Sequence, residues 1–191
     1  MVAVDADVAT LESASAPVYG RYVFAFGYPE QARTTILHEL AHQWFASSVT
    51  IRRWRDLWLQ EGFASLVTGW YDAEHGGPSL EQQLLDEYAE HPPGRFYWTV
   101  PPGDPGPGPR NLFRTVYSRG GMTLAALRTR IGVPAFERVM RRWAVEHRHG
   151  YGTTDQFVAL AEQVSGQDLA AFFREWLYDP DRPEPTPANG F

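Results

Sequence analysis

Five consecutive residues, His38-Glu39-Leu40-Ala41-His42, and a carboxylate 19 positions beyond them, Glu61, constrain this chain more than anything else in it. On a helix, positions i and i+4 share a face one turn apart, so both imidazoles can reach one metal ion. Glu39 points about 100° round the same helix. That places it beside such an ion rather than on it, where a base must sit to take a proton from an attacking water. A catalytic zinc takes three protein ligands and keeps one position open. Glu61 can be the third ligand if the chain turns back after His42 and a second helix carries the carboxylate opposite the two histidines. The fold must then hold two helices joined by a turn. At this chain's own composition the combined pattern arises by chance in about one such sequence in a thousand.

Composition narrows the chemistry further. With 191 residues and no cysteine, the chain has no thiol nucleophile, disulfide scaffold or thiolate-held zinc, so any metal must sit on histidine and carboxylate. All 17 basic residues are Arg, which removes lysine Schiff bases and phosphate-loop lysines. Together with 15 Pro and 17 Gly, the lack of lysine points to a GC-rich bacterial source. A net charge of −6 argues against a nucleic-acid partner. The 43% hydrophobic content is ample for one packed core at this length. No apolar run approaches the roughly 20 residues of a membrane span. Met1 to Ser15 carries three acids and no base, so it reads as neither signal nor transit peptide. Localisation stays unknown, with the cytoplasm slightly favoured over secretion, and the oligomeric state is open.

The fold class expected is α+β, a small N-terminal β region followed by a mostly helical body. Residues 2–26, rich in Val, Tyr and Phe, predict two or three short strands. Helical spacing predicts helices over about 31–47 and 56–74, then one capped by Ser79 and running to about 89. Residues 92–110, with seven Pro and four Gly, form a long loop that could fringe a cleft. Further helices are expected over 112–131, 134–148, 154–164 and 168–178, and an irregular Pro-rich tail thereafter. The domain reading is 1–28 for the β region, 29–180 for the helical metal-binding domain and 181–191 for the tail. Asp56 can support a ligand histidine or cap the second helix. His75, His91, His147 and His149 read as surface residues, and Arg52, Arg53 and Arg55 as a solvated connection.

The stretch His38-Glu39-Leu40-Ala41-His42-Gln43-Trp44-Phe45, then Val49-Thr50, then Trp54-x-Asp56-Leu57-Trp58-Leu59-x-Glu61-Gly62-Phe63-Ala64 resembles the signature of the gluzincin zinc aminopeptidases, the aminopeptidase N family. The resemblance implies a thermolysin-like metallopeptidase catalytic domain and one Zn2+ per chain. It makes His38, His42 and Glu61 the zinc ligands and Glu39 the general base. Val116-Tyr117-Ser118-Arg119-Gly120-Gly121 is similar to the family's Tyr-x-Lys-Gly segment, which implies that Tyr117 donates to the oxyanion. A phenol facing a zinc–carboxylate pair is a sound donor for that purpose. Arg119 replaces the usual lysine, a departure expected to matter little. Thr10-Leu11-Glu12-Ser13 falls where the family has Gly-x-Met-Glu-Asn, which implies that Glu12 binds the substrate's free α-amino group. The family's further acid seven residues after the ligand glutamate is here Thr68.

The resemblance covers about residues 8–180, the catalytic core, without the family's large N-terminal β domain or its C-terminal helical domain; either the chain is an excised fragment or an unusually minimal version. The function expected is removal of N-terminal amino acids from peptide substrates by metal-assisted attack of water. Two alternatives stand beside it: a zinc endopeptidase, and a catalytically silent homologue acting as a binding module.

Overall fold

The computed structural model describes residues 2–4, 10–25, 29–107 and 109–191. Parts of the stretch read as strands (5–9 and 26) and position 108 of the Pro/Gly loop lie outside the described residues.

Strands β1 (Val2–Val4) and β2 (Val18–Gly20) pair in parallel, Val2 opposite Val18. The expected β character does not continue, because Tyr22–Ala25 forms one helical turn, α1. In this turn Val23 is buried while its neighbours Tyr22 and Phe24 face outward.

Helix α2 (Pro29–Ala41) stops six residues before the expected end at 47. Past Ala41 the amides of Gln43 and Trp44 reach back only three residues, to the carbonyls of Leu40 and Ala41. The amides of Ser47 and Val49 then reach back five, to His42 and Trp44, which unwinds the helix into a turn. Strand β3 (Val49–Ile51) follows and pairs in parallel with β4 (Gly150–Gly152), a ladder nothing in the sequence announced. After a 3-10 turn at Trp54–Asp56 come α3 (Trp58–Glu74) and α4 (Leu80–Glu90). Ser79 caps α4 as expected, its hydroxyl accepting from the Gln82 amide.

The helix expected from 112 begins only at Ser118, as α5 (Ser118–Ile131). Residues 112–117 are instead looped, with the Thr115 hydroxyl tied to the Val100 carbonyl. Helices α6 (Val133–Glu146), α7 (Thr154–Ser165) and α8 (Ala170–Leu177) complete the body. Their ends lie within two residues of the expected ones. The tail carries one 3-10 turn at Pro187–Asn189 and packs down. Tyr88 donates to the Pro183 carbonyl, and Phe191 lies between Tyr88 and Trp176.

Helix α3 is the axis of the core, with α2 on one side and α5 on another. Phe157 of α7 is the aromatic hub, meeting Trp58, Phe63, Trp143 and Phe173 edge-on at ring separations of 5.2–6.1 Å. Two polar anchors fix the start of α3 against α7. Trp58 Nε1 donates to the Thr154 hydroxyl, and Asp56 Oδ1 accepts from both the Thr154 amide and hydroxyl at 2.9 and 2.8 Å. Asp56 therefore neither supports a ligand histidine nor caps α3; it holds the first residue of α7. No helix among the described residues is long and apolar enough to cross a membrane.

The α3–α5 crossing is a backbone contact. A Cβ built on Gly62 would stand 2.7 Å from the Gly120 carbonyl carbon. Gly62→Ala is expected to cost about 1–3 kcal/mol, because the obstacle is main chain that cannot swing aside. Urea denaturation checks it, and an unchanged midpoint would mean the helices can separate freely.

Candidate metal centre

Each of the three proposed donors sits where its local structure puts it. His38 and His42 are one turn apart, their rings edge to face with centroids 4.7 Å apart. Because the chain curls after Ala41, the Phe45 carbonyl comes within 3.2 Å of His42 Nδ1. Nδ1–H donates a hydrogen bond to that carbonyl, leaving Nε2 as the ring's lone-pair nitrogen. Glu61 reaches the same point from the first turn of α3. His38 Nε2, His42 Nε2 and Glu61 Oε2 form a triangle with sides of 3.1, 3.2 and 3.3 Å.

Such a triangle fits a metal. Three corners of a tetrahedron around zinc, with bonds of 2.0–2.1 Å, stand about 3.3–3.4 Å apart. Two imidazoles and one carboxylate are also a donor set that zinc accepts with one position left open. Among the described residues this is the one cluster of three such side chains close enough to hold an ion. His42 and Glu61 are buried and His38 half-buried, so the donors are shielded but reachable.

Electrostatics bind the three together. Burial alone would raise the Glu61 carboxyl, but hydrogen bonds and charge from His38 and His42 outweigh it and hold the group below the usual carboxylate range. Burial would lower His42, yet the hydrogen bond and charge of Glu61 raise it above the usual imidazole value. Burial raises the Glu39 carboxyl, moving it toward the range of a base useful near neutrality. Tyr117 is raised by burial and then by the charges of Glu61, Glu12 and Glu39, so it stays a phenol with a proton to donate.

Glu39, Tyr117 and Glu12 open with the three donors onto one cavity of about 420 Å³. Tyr117 stands at the N-terminal end of α5, which the Gly62–Gly120 contact draws against α3, and its ring lies 5.7 Å from that of His38. Glu12 arrives from the loop before β2, where the Leu11 amide and carbonyl bond to Val18. The remaining four histidines stay away from the cluster: His75 bonds the Tyr71 carbonyl, His91 stacks on Tyr97, His147 lies against Trp143, and His149 accepts from Arg148. Thr68 bonds the Ala64 carbonyl of its own helix and takes no part.

Arg119 is the residue whose weight the sequence understated. It is fully buried, and its guanidinium donates to the backbone carbonyls of Trp176, Trp98, Glu175 and Asp179 at 2.7–2.9 Å. Burial pulls it down to about 10, still charged at neutral pH. The signal was present: Arg119 lies on the apolar stripe of α5, three positions before Met122 and eight before Leu127, where no solvated charge belongs.

Residues 23–91 match the peptidase family M1 domain. Aminopeptidase N of Lactococcus lactis subsp. cremoris is 32% identical over 165 residues, which are 80% of this chain and 19% of that protein. Aminopeptidase Ey of Gallus gallus is 54% identical over 50 residues, 26% of this chain and 5% of that protein. The crystal structure of an M1 zinc metallopeptidase from Deinococcus radiodurans superposes with a TM-score of 0.77 at 25% identity, covering 96% of this chain and 39% of the other. The chain thus spans about a fifth of the curated relatives it matches over most of its own length.

Proposed function

The chain belongs to peptidase family M1, and we propose that it is a zinc-dependent aminopeptidase removing N-terminal residues from peptides. The observation that carries this reading is the opening of His38, His42, Glu61, Glu39, Tyr117 and Glu12 onto a single cavity. His38, His42 and Glu61 hold the ion through the triangle of donor atoms. Bound there, zinc supplies Lewis acidity, polarising a carbonyl and making water a stronger acid.

The chain's own groups do the rest. Glu39 takes a proton from the attacking water and passes it to the leaving amine as the C–N bond breaks. Tyr117, kept protonated, donates a hydrogen bond to the oxygen on which negative charge develops. Glu12 pairs with the substrate's α-ammonium. That contact fixes the cleavage register one residue from the N-terminus, because the cavity joins Glu12 to the ligand cluster directly. A silent homologue would have no need of a base and an oxygen donor beside a complete donor triangle.

Elemental analysis beside a His42→Ala variant tests the metal site. About one zinc per chain is expected, and none in the variant, where one of three ligands is gone. A leucine p-nitroanilide and its N-acetyl derivative then test the register. Acetylation is expected to lower kcat/KM by roughly a hundredfold or more, the scale of stranding a charged partner. Equal cleavage of the two would make the protein an endopeptidase. Zinc absent after dialysis of folded protein against it would overturn the metal reading.

A further inference from the structure

A second cavity, of about 480 Å³, lies against the first. The two share Glu12 and Glu61, so these carboxylates form the partition between them. Its walls include Trp54, Phe113, Arg52 and Arg53, with both arginines exposed. The Arg52 guanidinium lies over the Tyr151 ring, 4.7 Å from its centroid. Among the described residues neither arginine forms an ion pair with a carboxylate. The run that reads in sequence as a solvated connection therefore sets two cations without an ion-pair partner among the described residues at the edge of a cavity that adjoins the donor cluster.

The geometry of an amino-terminal residue says what this cavity receives. Its ammonium, α-carbon and carbonyl are consecutive, so an ammonium at Glu12 and a carbonyl beside the Glu61 ligand hold the α-carbon between those two carboxylates. The side chain leaves from that carbon. Both cavities border that carbon, but the first is taken up by the scissile peptide among Glu39, Tyr117 and the three donors, so the side chain has the second to enter. We propose that this second cavity takes the side chain of the substrate's N-terminal residue and selects an acidic one, Arg53 and Arg52 supplying the counter-charge. The stem of a glutamyl side chain lies along Trp54 and Phe113, and its carboxylate reaches the guanidinium forks, which match it in shape as well as charge. A basic side chain would enter against two like charges. The inference rests on the aminopeptidase reading above, in which Glu12 holds the α-ammonium.

Calorimetric titration of the zinc-loaded protein tests it, with the α-hydroxamates of L-glutamic acid and L-glutamine as probes. The two have nearly the same shape and differ in side-chain charge. The glutamyl probe is expected to bind roughly tenfold more tightly, the scale of one partly exposed charge-assisted contact. Arg53→Gln is expected to shrink that ratio, the Arg52→Gln/Arg53→Gln double variant to bring it to about one, and Arg53→Lys to restore part of it. Raising NaCl to about 0.5 M is expected to shrink it as well, since both cations are exposed. Equal affinity for the two probes in the unaltered protein overturns the inference, and so does a preference that survives in the double variant. The underlying reading fails separately. In that case neither hydroxamate binds, or N-acetylation of the glutaminyl probe leaves its affinity unchanged.

Discussion

Glu39→Gln is expected to lower the turnover of a leucine p-nitroanilide by about 10²–10⁴-fold, the contribution of a positioned general base. The amide is isosteric with the carboxylate but cannot accept and carry the water's proton. Glu39 is buried on α2 between the two histidines in sequence, yet none of the three converging donor atoms belongs to it. Zinc content is therefore expected to stay at about one per chain in the variant. Burial raises the carboxyl of Glu39, so the native side chain is a better match to proton transfer near neutrality than an exposed glutamate is. Removing a carboxylate that suffers this desolvation leaves thermal stability equal or slightly higher. Full turnover in a zinc-loaded variant would remove Glu39 from its role. Loss of zinc together with activity would instead make it part of the metal's support.

Arg119→Ala is expected to destabilise the fold by about 4 kcal/mol, a large part of the 5–15 kcal/mol that holds a typical domain together. Four backbone carbonyls, those of Trp98, Glu175, Trp176 and Asp179, lose their donors at once, and each buried carbonyl so stranded costs about 1–3 kcal/mol before water enters the gap. The side chain also lies 5.1 Å from the Trp98 ring centroid, so its removal opens a void in the core. Arg119→Lys keeps the charge but offers one nitrogen where the guanidinium offers three, and its expected cost is about half as large. The midpoint of urea denaturation checks both variants. A loss under about 1 kcal/mol for the alanine would mean that the C-terminal segment is held by apolar packing alone.

The core variants and the site variants separate cleanly in kind. Arg119 pins the Pro/Gly loop and the end of α8 to the first turn of α5. Gly62 sets how near that turn can approach α3. Tyr117 at the head of α5 opens onto the same cavity as His38, His42 and Glu61 because both conditions are met. The long loop that the sequence allowed to fringe the cleft serves the fold here through Trp98, whose carbonyl accepts from Arg119 and whose indole donates to His91.

What the sequence determined by itself is local in origin. The i, i+4 placement of His38 and His42 follows from the helical repeat alone. The extents of α4, α6, α7 and α8 follow from apolar spacing, Ser79 and flanking glycines and prolines, all within one or two turns of the element they define. The donor set was legible for the same reason, since three residues on two adjacent helices need only a turn between them. What only the tertiary structure decided depends on partners far along the chain. Strand β3 exists because β4 lies about a hundred residues on, and three-residue strands carry no alternation to reveal them. Helix α2 ends where the chain must turn toward that ladder, and the turn hands His42 its Phe45 carbonyl. Helix α5 starts late because Thr115 is claimed by Val100. Arg52 and Arg53, polar and unremarkable in sequence, become cavity walls because β3 carries the chain back past Glu61. Periodicity is written in the dihedrals of neighbouring residues, whereas burial and encounter are settled by which distant surfaces remove the most apolar area from water together.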